Sequence, residues 1–507
     1  MALTRSLYFS RRYELTSMQE ALIPATAEPR SVWTSLLSAS RRKKNDAATV
    51  VPAASSSSGR VELRTEIERD YDRILFCAPV RRMADKTQVF PLDRNDSVRN
   101  RLTHSHEVSN LARSFGTTLV YSNSIASEVP TAVRDIPSLL AAVGLVHDLG
   151  NPPFGHQGEA AIQSWFFDNI SSVAGKKFSV LTERQYRDFL KFEGNAQAFR
   201  LVTRLQVLND DFGLDLTVAT LAAMMKYPVG AMGVNKSNVC TKKHGFFLSE
   251  ESIAKHVLES VGLSIGKRHP MSYIMEACDD IAYAVLDIED AVKKGLASFS
   301  DLIAYLDHHA PQDFVINELV EKSRAKHVEY RILDLSPAEL NDVSMQRFRV
   351  YAIGMMINSC VDAFVDNQNS YIEGLAPKAL LDISSVSRLR ELLGDFSFNH
   401  TFQHRSVLEV ELTGYNTIRG LMDIFWGAIL ETNPDNGVCR PSHPYNRYVF
   451  MRISENYRRV YNSPPGDLKG LPLRYRQCLL LTDMISGMTD SYAVNLLQEL
   501  RSYQARG

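Results

Sequence analysis

The residues with the clearest chemical meaning lie in one stretch, Gly144-Leu-Val-His147-Asp148-Leu-Gly-Asn-Pro-Pro-Phe-Gly-His156-Gln-Gly-Glu159. An apolar run ends in an adjacent imidazole and carboxylate, and a Gly/Pro-rich turn then delivers a second imidazole and carboxylate. His147 and Asp148 suit a borderline or hard divalent metal such as Mn, Fe, Mg or Zn. His156 and Glu159, at i and i+3, share a helix face, so the carboxylate can orient and polarise the imidazole for proton transfer. A bare His-Asp pair is more often a turn cap than a ligand pair. Here it follows a buried-looking helix and precedes a second acid–base pair.

Two further segments can complete the same site: Arg99-Asn-Arg101-Leu-Thr-His104-Ser-His106 upstream and Glu276-Ala-Cys-Asp279-Asp280-Ile-Ala-Tyr283 downstream. His104, His147, Asp148 and Asp279 make an H…HD…D set that could hold one metal and leave positions for water and a phosphate. Asp279, Tyr283 and Asp287 fall at i, i+4 and i+8, on one stripe of one helix. A carboxylate on a largely apolar helix is costly to bury unpaired, which points to a ligand role for Asp279. Asp280 is expected to be solvated, and His106, two residues beyond His104, to face away as an outer neighbour at most. The phosphate loop, G-x-G-x-x-G, H-E-x-x-H and G-x-S-x-G signatures are all absent.

The elements that must position these groups read as helices. Apolar spacing predicts helices over 61–75, 139–147, 273–292, 300–306, 348–364, 417–430 and 479–500. Gly150-Asn-Pro-Pro153 stops the second of these. Two-residue alternation is scarce and no internal repeat is present, so the fold class is all-α. Residues 1–60 read as an irregular extension, with a Ser-rich tract from Ala53 to Gly59 and a charge run, Arg41 to Lys44, expected to be solvated.

Composition bounds the class. The chain has 507 residues and a mass of 57.0 kDa, is 45% apolar and 23% charged, and carries a formal charge of −1. These values exclude general disorder and a strongly basic nucleic-acid binder. At about 150 residues per domain the length suits roughly three domains or one elaborated unit. No continuous apolar run approaches the roughly 18 residues of a membrane span. Six cysteines without a C-x-x-C pair point to reduced thiols and a cytoplasmic protein. Met1 to Thr16, with three arginines and no long apolar stretch, excludes a secretory signal and leaves an Arg/Ser-rich transit peptide open.

The sequence resembles the bacterial deoxyguanosine triphosphate triphosphohydrolases (dGTPases) of the HD superfamily. The resemblance rests on Arg81-Arg82, Lys86 to Leu92, Arg99 to Ser105, His147 to Glu159, Phe192 to Gln197, Lys226-Tyr227-Pro228, Arg268-His-Pro270, Glu276 to Tyr283 and Ile485 to Asp490, in order over about residues 61–492. It implies an HD phosphohydrolase core over 61–300 and additional C-terminal helices over 301–507, which complete the nucleotide pocket and make oligomer contacts. It also implies cleavage of dGTP at the α-phosphorus to deoxyguanosine and tripolyphosphate, controlling the dGTP pool.

The implied roles are metal ligation by His104, His147, Asp148 and Asp279, and catalysis by His156 with Glu159. Gln88 and Arg101 would contact the deoxynucleoside and the triphosphate, Lys226 and Tyr227 the phosphates, Tyr283 the deoxyribose and Asp287 its 3′-hydroxyl. Some relatives carry His where this chain has Phe192, so any acid–base duty of that position is absent. The implied cofactor is one divalent ion, Mg or Mn, with Fe, Co or Zn as alternatives. Implied partners are further copies of the chain, commonly a hexamer, and single-stranded DNA, with no membrane. A broad dNTP triphosphohydrolase and a nucleotide or single-strand DNA sensor without turnover are the alternatives.

Overall fold

A computed structural model describes residues 31–43, 62–90, 92, 95–206 and 212–504. Among them there is no strand, only three isolated bridges. The principal helices are α1 (Val32–Leu36), α2 (Glu66–Leu75), α3 (Arg101–Ser122), α4 (Ala132–Val146), α5 (Gly155–Asp168), α6 (Gly194–Arg200), α7 (Val218–Met224) and α8 (Pro270–Lys293). They continue with α9 (Phe299–His309), α10 (Phe314–Tyr330), α11 (Pro337–Asp366), α12 (Arg405–Leu430), α13 (Leu473–Ser486) and α14 (Asp490–Gln504). The 479–500 pattern is therefore two helices, because α13 ends at Ser486 and Asp490 opens α14.

Local chemistry sets the helix ends. Asn100 and Thr103 form a reciprocal capping box at the start of α3, as Thr65 and Glu68 do for α2. Pro270 occupies the first turn of α8, where its missing N–H costs no helix bond. A Cβ on Gly144 would fall 2.7 Å from Ser109 Cα, so only glycine lets α4 lie this close to α3. That approach brings the C-terminal end of α4, with His147, beside the His104 turn of α3.

Apolar side chains gather into two large cores. The first is built from α2, α3, α4, α7 and α8 to α11, with Phe115, Leu145, Ile281, Phe348 and Phe364 fully buried. The second joins α5 to α12, α13 and α14 through Phe154, Trp165, Phe425 and Leu481. The expected boundary at 300 falls inside the first core, which continues through Phe299 and Leu302 into α11. The Asp148–Phe154 turn crosses from one core to the other.

Two expectations for the N-terminal 60 residues are corrected. Residues 31–43 are part of the fold: Trp33 and Leu36 enter the first core, and the Leu36 carbonyl lies 3.0 Å from His269 Nε2. Arg41 is not solvated but 2% exposed, with its guanidinium 2.8 Å from Asp70 Oδ1 and 2.7 Å from Glu66 Oε2. A buried carboxylate on α2 thus captures the first cation of the charge run. The 1–16 leader, Lys44, the Ser-rich tract and Val61 lie outside the described residues.

One described helix, α11, is long and apolar enough to cross a membrane by length and composition, although no single apolar run in the sequence suggested one. A core helix passes the same test, and Phe348, Met356, Cys360 and Phe364 of α11 are buried. All six cysteines are free thiols, five of them buried.

Candidate active site

The four expected metal ligands converge. His104 Nε2 and His147 Nε2 lie 3.2 and 3.3 Å from the same oxygen, Asp279 Oδ1. Asp148 Oδ2 stands 3.6 Å from His147 Nε2, and the donor atoms of His104, His147 and Asp148 all lie within 4.8 Å of one another. His147 Nδ1 is 2.7 Å from the Gly144 carbonyl, to which it donates, and this bond aims Nε2 at the carboxylates. Two imidazole nitrogens and two carboxylates on one centre fit a single divalent ion.

The electrostatics follow from this crowding. Burial opposes charge on all these groups, but Asp148 and Asp279 lift the His147 imidazole to about 9. Burial also pushes the Asp148 carboxyl up, yet Arg101 and His147 hold it at about 2. Against the same burial, His147 and His104 keep Asp279 well below the carboxylate range. The cluster is an anionic pocket that His147 and Arg101 partly neutralise.

Cations stand at its edge. Arg101 is 2.5 Å from Asp148 Oδ2 and donates from Nε to the Thr87 carbonyl at 3.1 Å. Lys226 Nζ sits 3.7 Å from Asp279 Oδ2 and 3.6 Å from Glu276 Oε1. Glu276 also faces Arg268 at 2.5 Å and Lys242 at 3.5 Å, so one buried carboxylate anchors three cations.

His156 begins α5 on the second core. Its ring is 85% exposed and faces open solvent, while Nδ1 lies 3.2 Å from Glu159 Oε2. The other Glu159 oxygen accepts the Gly194 N–H at 2.7 Å. The hydrogen bond that His156 Nδ1 donates to Glu159 raises the imidazole above its ordinary value. Bound at Nδ1, the ring presents Nε2 as a proton-carrying edge.

The expected nucleoside contacts occupy different surroundings. Asp287 is fully buried and neither carboxylate oxygen has a hydrogen-bond partner among the described residues; the same is true of the buried Gln88 Oε1. Burial, with Asp290 adding to it, pushes the Asp287 carboxyl well above the usual range. Tyr283 stacks on Phe402 with ring centroids 5.8 Å apart and an interplanar angle of 12°. Tyr227 is buried, with its ring under the Arg268 guanidinium at 5.5 Å and Lys242 at 5.9 Å.

One expectation is corrected here and another is met. Asp280 is not solvated but half-buried, and burial lifts its carboxyl to about 6 against the pull of Lys226. His106 is no neighbour of the donor set; it lines a separate cavity with Tyr71, Asn110 and Arg113, one helix face away from His104.

Comparison with known proteins decides the family. The chain is 36% identical over 455 residues to a deoxyguanosinetriphosphate triphosphohydrolase-like protein of Listeria monocytogenes, covering 87% of this chain and 95% of that protein. It is 34% identical over 460 residues to a probable deoxyguanosinetriphosphate triphosphohydrolase of Pseudomonas aeruginosa, covering 84% and 91%. This chain belongs to the deoxyguanosinetriphosphate triphosphohydrolase family. A Yersinia pestis deoxyguanosinetriphosphate triphosphohydrolase matches at 31% over 489 residues, 87% and 94% of the two chains. No protein-family model matches the sequence.

Several residues at this dGTPase-family site carried no individual signal in the sequence. Asn151 donates to Asp148 Oδ1 at 2.6 Å, yet it reads as an ordinary turn residue. Glu276 has no motif role of its own; its place three residues before Asp279 on α8 is the clue the sequence offers. Lys243 and Glu193, paired at 3.0 Å, come from loops whose meeting no local pattern reports.

Proposed function

We propose that this chain hydrolyses dGTP at the α-phosphorus, releasing deoxyguanosine and tripolyphosphate, and so lowers the dGTP pool. The observation that carries the reading is the convergence of His104, His147, Asp148 and Asp279 on one point, in a family whose named members are dGTP triphosphohydrolases. His104, His147, Asp148 and Asp279 would hold one divalent ion, Mg or Mn. Such an ion neutralises phosphate charge and lowers the pKa of bound water.

The remaining steps belong to side chains. Arg101 and Lys226, now paired with Asp148 and Asp279, exchange those carboxylates for phosphate oxygens and offset the triphosphate charge. His156, favoured as the imidazolium by Glu159, donates its Nε2 proton to the departing 5′-oxygen of deoxyguanosine. Asp287, buried with two unpartnered oxygens, pairs with the 3′-hydroxyl, because an unfilled buried polar group gains from a partner. Gln88 supplies a second buried acceptor, and the Tyr283–Phe402 stack offers an aromatic wall for the deoxyribose, against which a 2′-hydroxyl would clash. Tyr227 acts from beneath, fixing the Arg268 and Lys242 side chains.

The test is an assay of the purified full chain with Mn or Mg, offering dGTP, the other three dNTPs and GTP separately and resolving the products. Deoxyguanosine and tripolyphosphate from dGTP alone is the expected result. Turnover of all dNTPs would instead place the chain among broad dNTP triphosphohydrolases. No turnover under either metal would leave a nucleotide or single-strand DNA sensor. Mass measurement in solution checks the expected hexamer.

A further inference from the structure

Helices α13 and α14 belong to the second core, yet the junction between them reaches the site. Asp490, the first residue of α14, is 2% exposed. Its Oδ1 accepts the Phe154 N–H at 3.0 Å; its Oδ2 accepts the Thr87 N–H at 2.9 Å and also the Thr87 hydroxyl. Beside it, Lys86 Nζ donates to the Asn151 carbonyl at 2.6 Å and to the Ser486 carbonyl at 2.7 Å.

Each residue so held leads directly to a working group. Phe154 has left-handed backbone, φ 62°, which a side chain larger than glycine adopts only when its surroundings hold it there. It stands two residues before His156 and determines where α5 begins. Thr87 precedes Gln88, and its carbonyl accepts from Arg101, the residue paired with Asp148. Asn151 bonds to Asp148 on its other side. The two ends of the carboxylate therefore grip the two halves of the site, which ride on separate hydrophobic cores.

We propose that Asp490 is a positioning residue for the hydrolytic reaction: through Phe154 and Thr87 it sets His156 against the metal-ligand cluster and the Gln88–Arg101 edge. The proposal rests on His156 being the working imidazole in dGTP hydrolysis. A carboxylate suits the place because all three partners are donors. An amide of the same shape would turn its NH2 toward one of them, leaving two donors face to face. Misplacing a reacting group by about 1 Å costs roughly 100-fold in rate.

The experiment compares wild type with Asp490→Asn, Thr87→Val and Gly414→Ala. A Cβ on Gly414 of α12 would lie 2.4 Å from the Phe154 ring, so this variant pushes the same residue from the opposite side and decides the matter if Asp490→Asn does not fold. Asp490→Asn and Gly414→Ala are expected to lower kcat by roughly 10- to 100-fold while Mn affinity by calorimetry stays within about twofold, since no metal ligand bonds to Asp490. Thr87→Val, which loses only the hydroxyl bond on the nucleoside side, is expected to raise KM more than it lowers kcat.

A readout without turnover is the rate at which diethyl pyrocarbonate modifies His156, mapped by mass spectrometry against exposed His308 as an internal control. It is expected to change at least about threefold in both Phe154-directed variants. Unchanged kcat and unchanged His156 reactivity in folded variants would overturn the proposal. So would parallel loss of Mn binding, kcat and folded fraction, the mark of a purely structural role. Absence of dGTP turnover in wild type would overturn the functional reading, while the His156 reactivity still judges Asp490.

Discussion

Glu159 is held from two directions: its Oε1 accepts the Gly194 N–H at 2.7 Å and its Oε2 lies 3.2 Å from His156 Nδ1. The backbone of α6 therefore fixes the carboxylate, and the carboxylate fixes the ring. Only one of the two oxygens remains for the imidazole, which sets the ring orientation as well as its charge.

Replacing His156 by alanine is expected to lower kcat about 10²–10⁴-fold with little change in thermal stability, because the ring is exposed. Glu159→Gln removes the partner that raises the imidazole. If His156 delivers a proton, kcat falls as pH rises through its raised value, and Glu159→Gln brings that fall to lower pH. A pH–kcat profile showing the limb unmoved would contradict this arrangement.

Gly194→Ala is expected to damage both halves of the site. The added Cβ would meet Asn151 Oδ1 at 2.0 Å and Glu159 Oε1 at 3.0 Å, and Asn151 in turn orients Asp148. Weakened Mn binding together with a lower kcat, measured by calorimetry and turnover, is the expected pair of results.

Chelation should abolish turnover, and added Mn or Mg should restore it. Asp148→Ala and His104→Ala are each expected to prevent restoration. An ion bound to the folded chain alone also stabilises it, by about 2.7 kcal/mol at a hundred times its dissociation constant. A melting temperature indifferent to Mn in wild type would count against the donor set.

Arg41→Ala leaves the fully buried Asp70 without its cation, and breaking such a pair costs about 3–5 kcal/mol. Chemical denaturation should show that loss. Equal stability of Arg41→Ala and wild type would mean residues 31–43 are not anchored as described.

Asp188 provides a pH test of stability. Burial pushes its carboxyl up to about 6, although Tyr475 and the Leu248 N–H donate to it. A raised folded value means stability that is full below the unfolded value of about 3.9 and is lost as pH rises through about 6. The advantage of wild type over Asp188→Asn should therefore shrink between pH 4 and 7, by about 3 kcal/mol, in urea titrations.

Much of this was legible in the sequence. His147-Asp148 and His156…Glu159 announce themselves because adjacency and i, i+3 spacing are local, and α8 is visible because its apolar residues keep a helical period. Asp279, Tyr283 and Asp287 could be placed on one stripe for the same reason. Resemblance to the dGTPases implied roles that spacing alone does not distinguish, such as those proposed for Gln88 and Lys226.

What the sequence could not express is contact between distant segments. Whether Arg41 is solvated depends on a carboxylate on α2, and whether Asp280 is solvated depends on how closely Lys226 and α8 pack. The division into two hydrophobic cores cuts across chain order, since α5 joins helices more than two hundred residues later. The sequence by itself determined the helical class and the chemistry of the donor set, because those reside in residue type and local period. Only tertiary structure decided that Asp490 would meet Phe154 and Thr87, because a hydrogen bond depends on where two atoms come to rest, not on how far apart they lie in the chain.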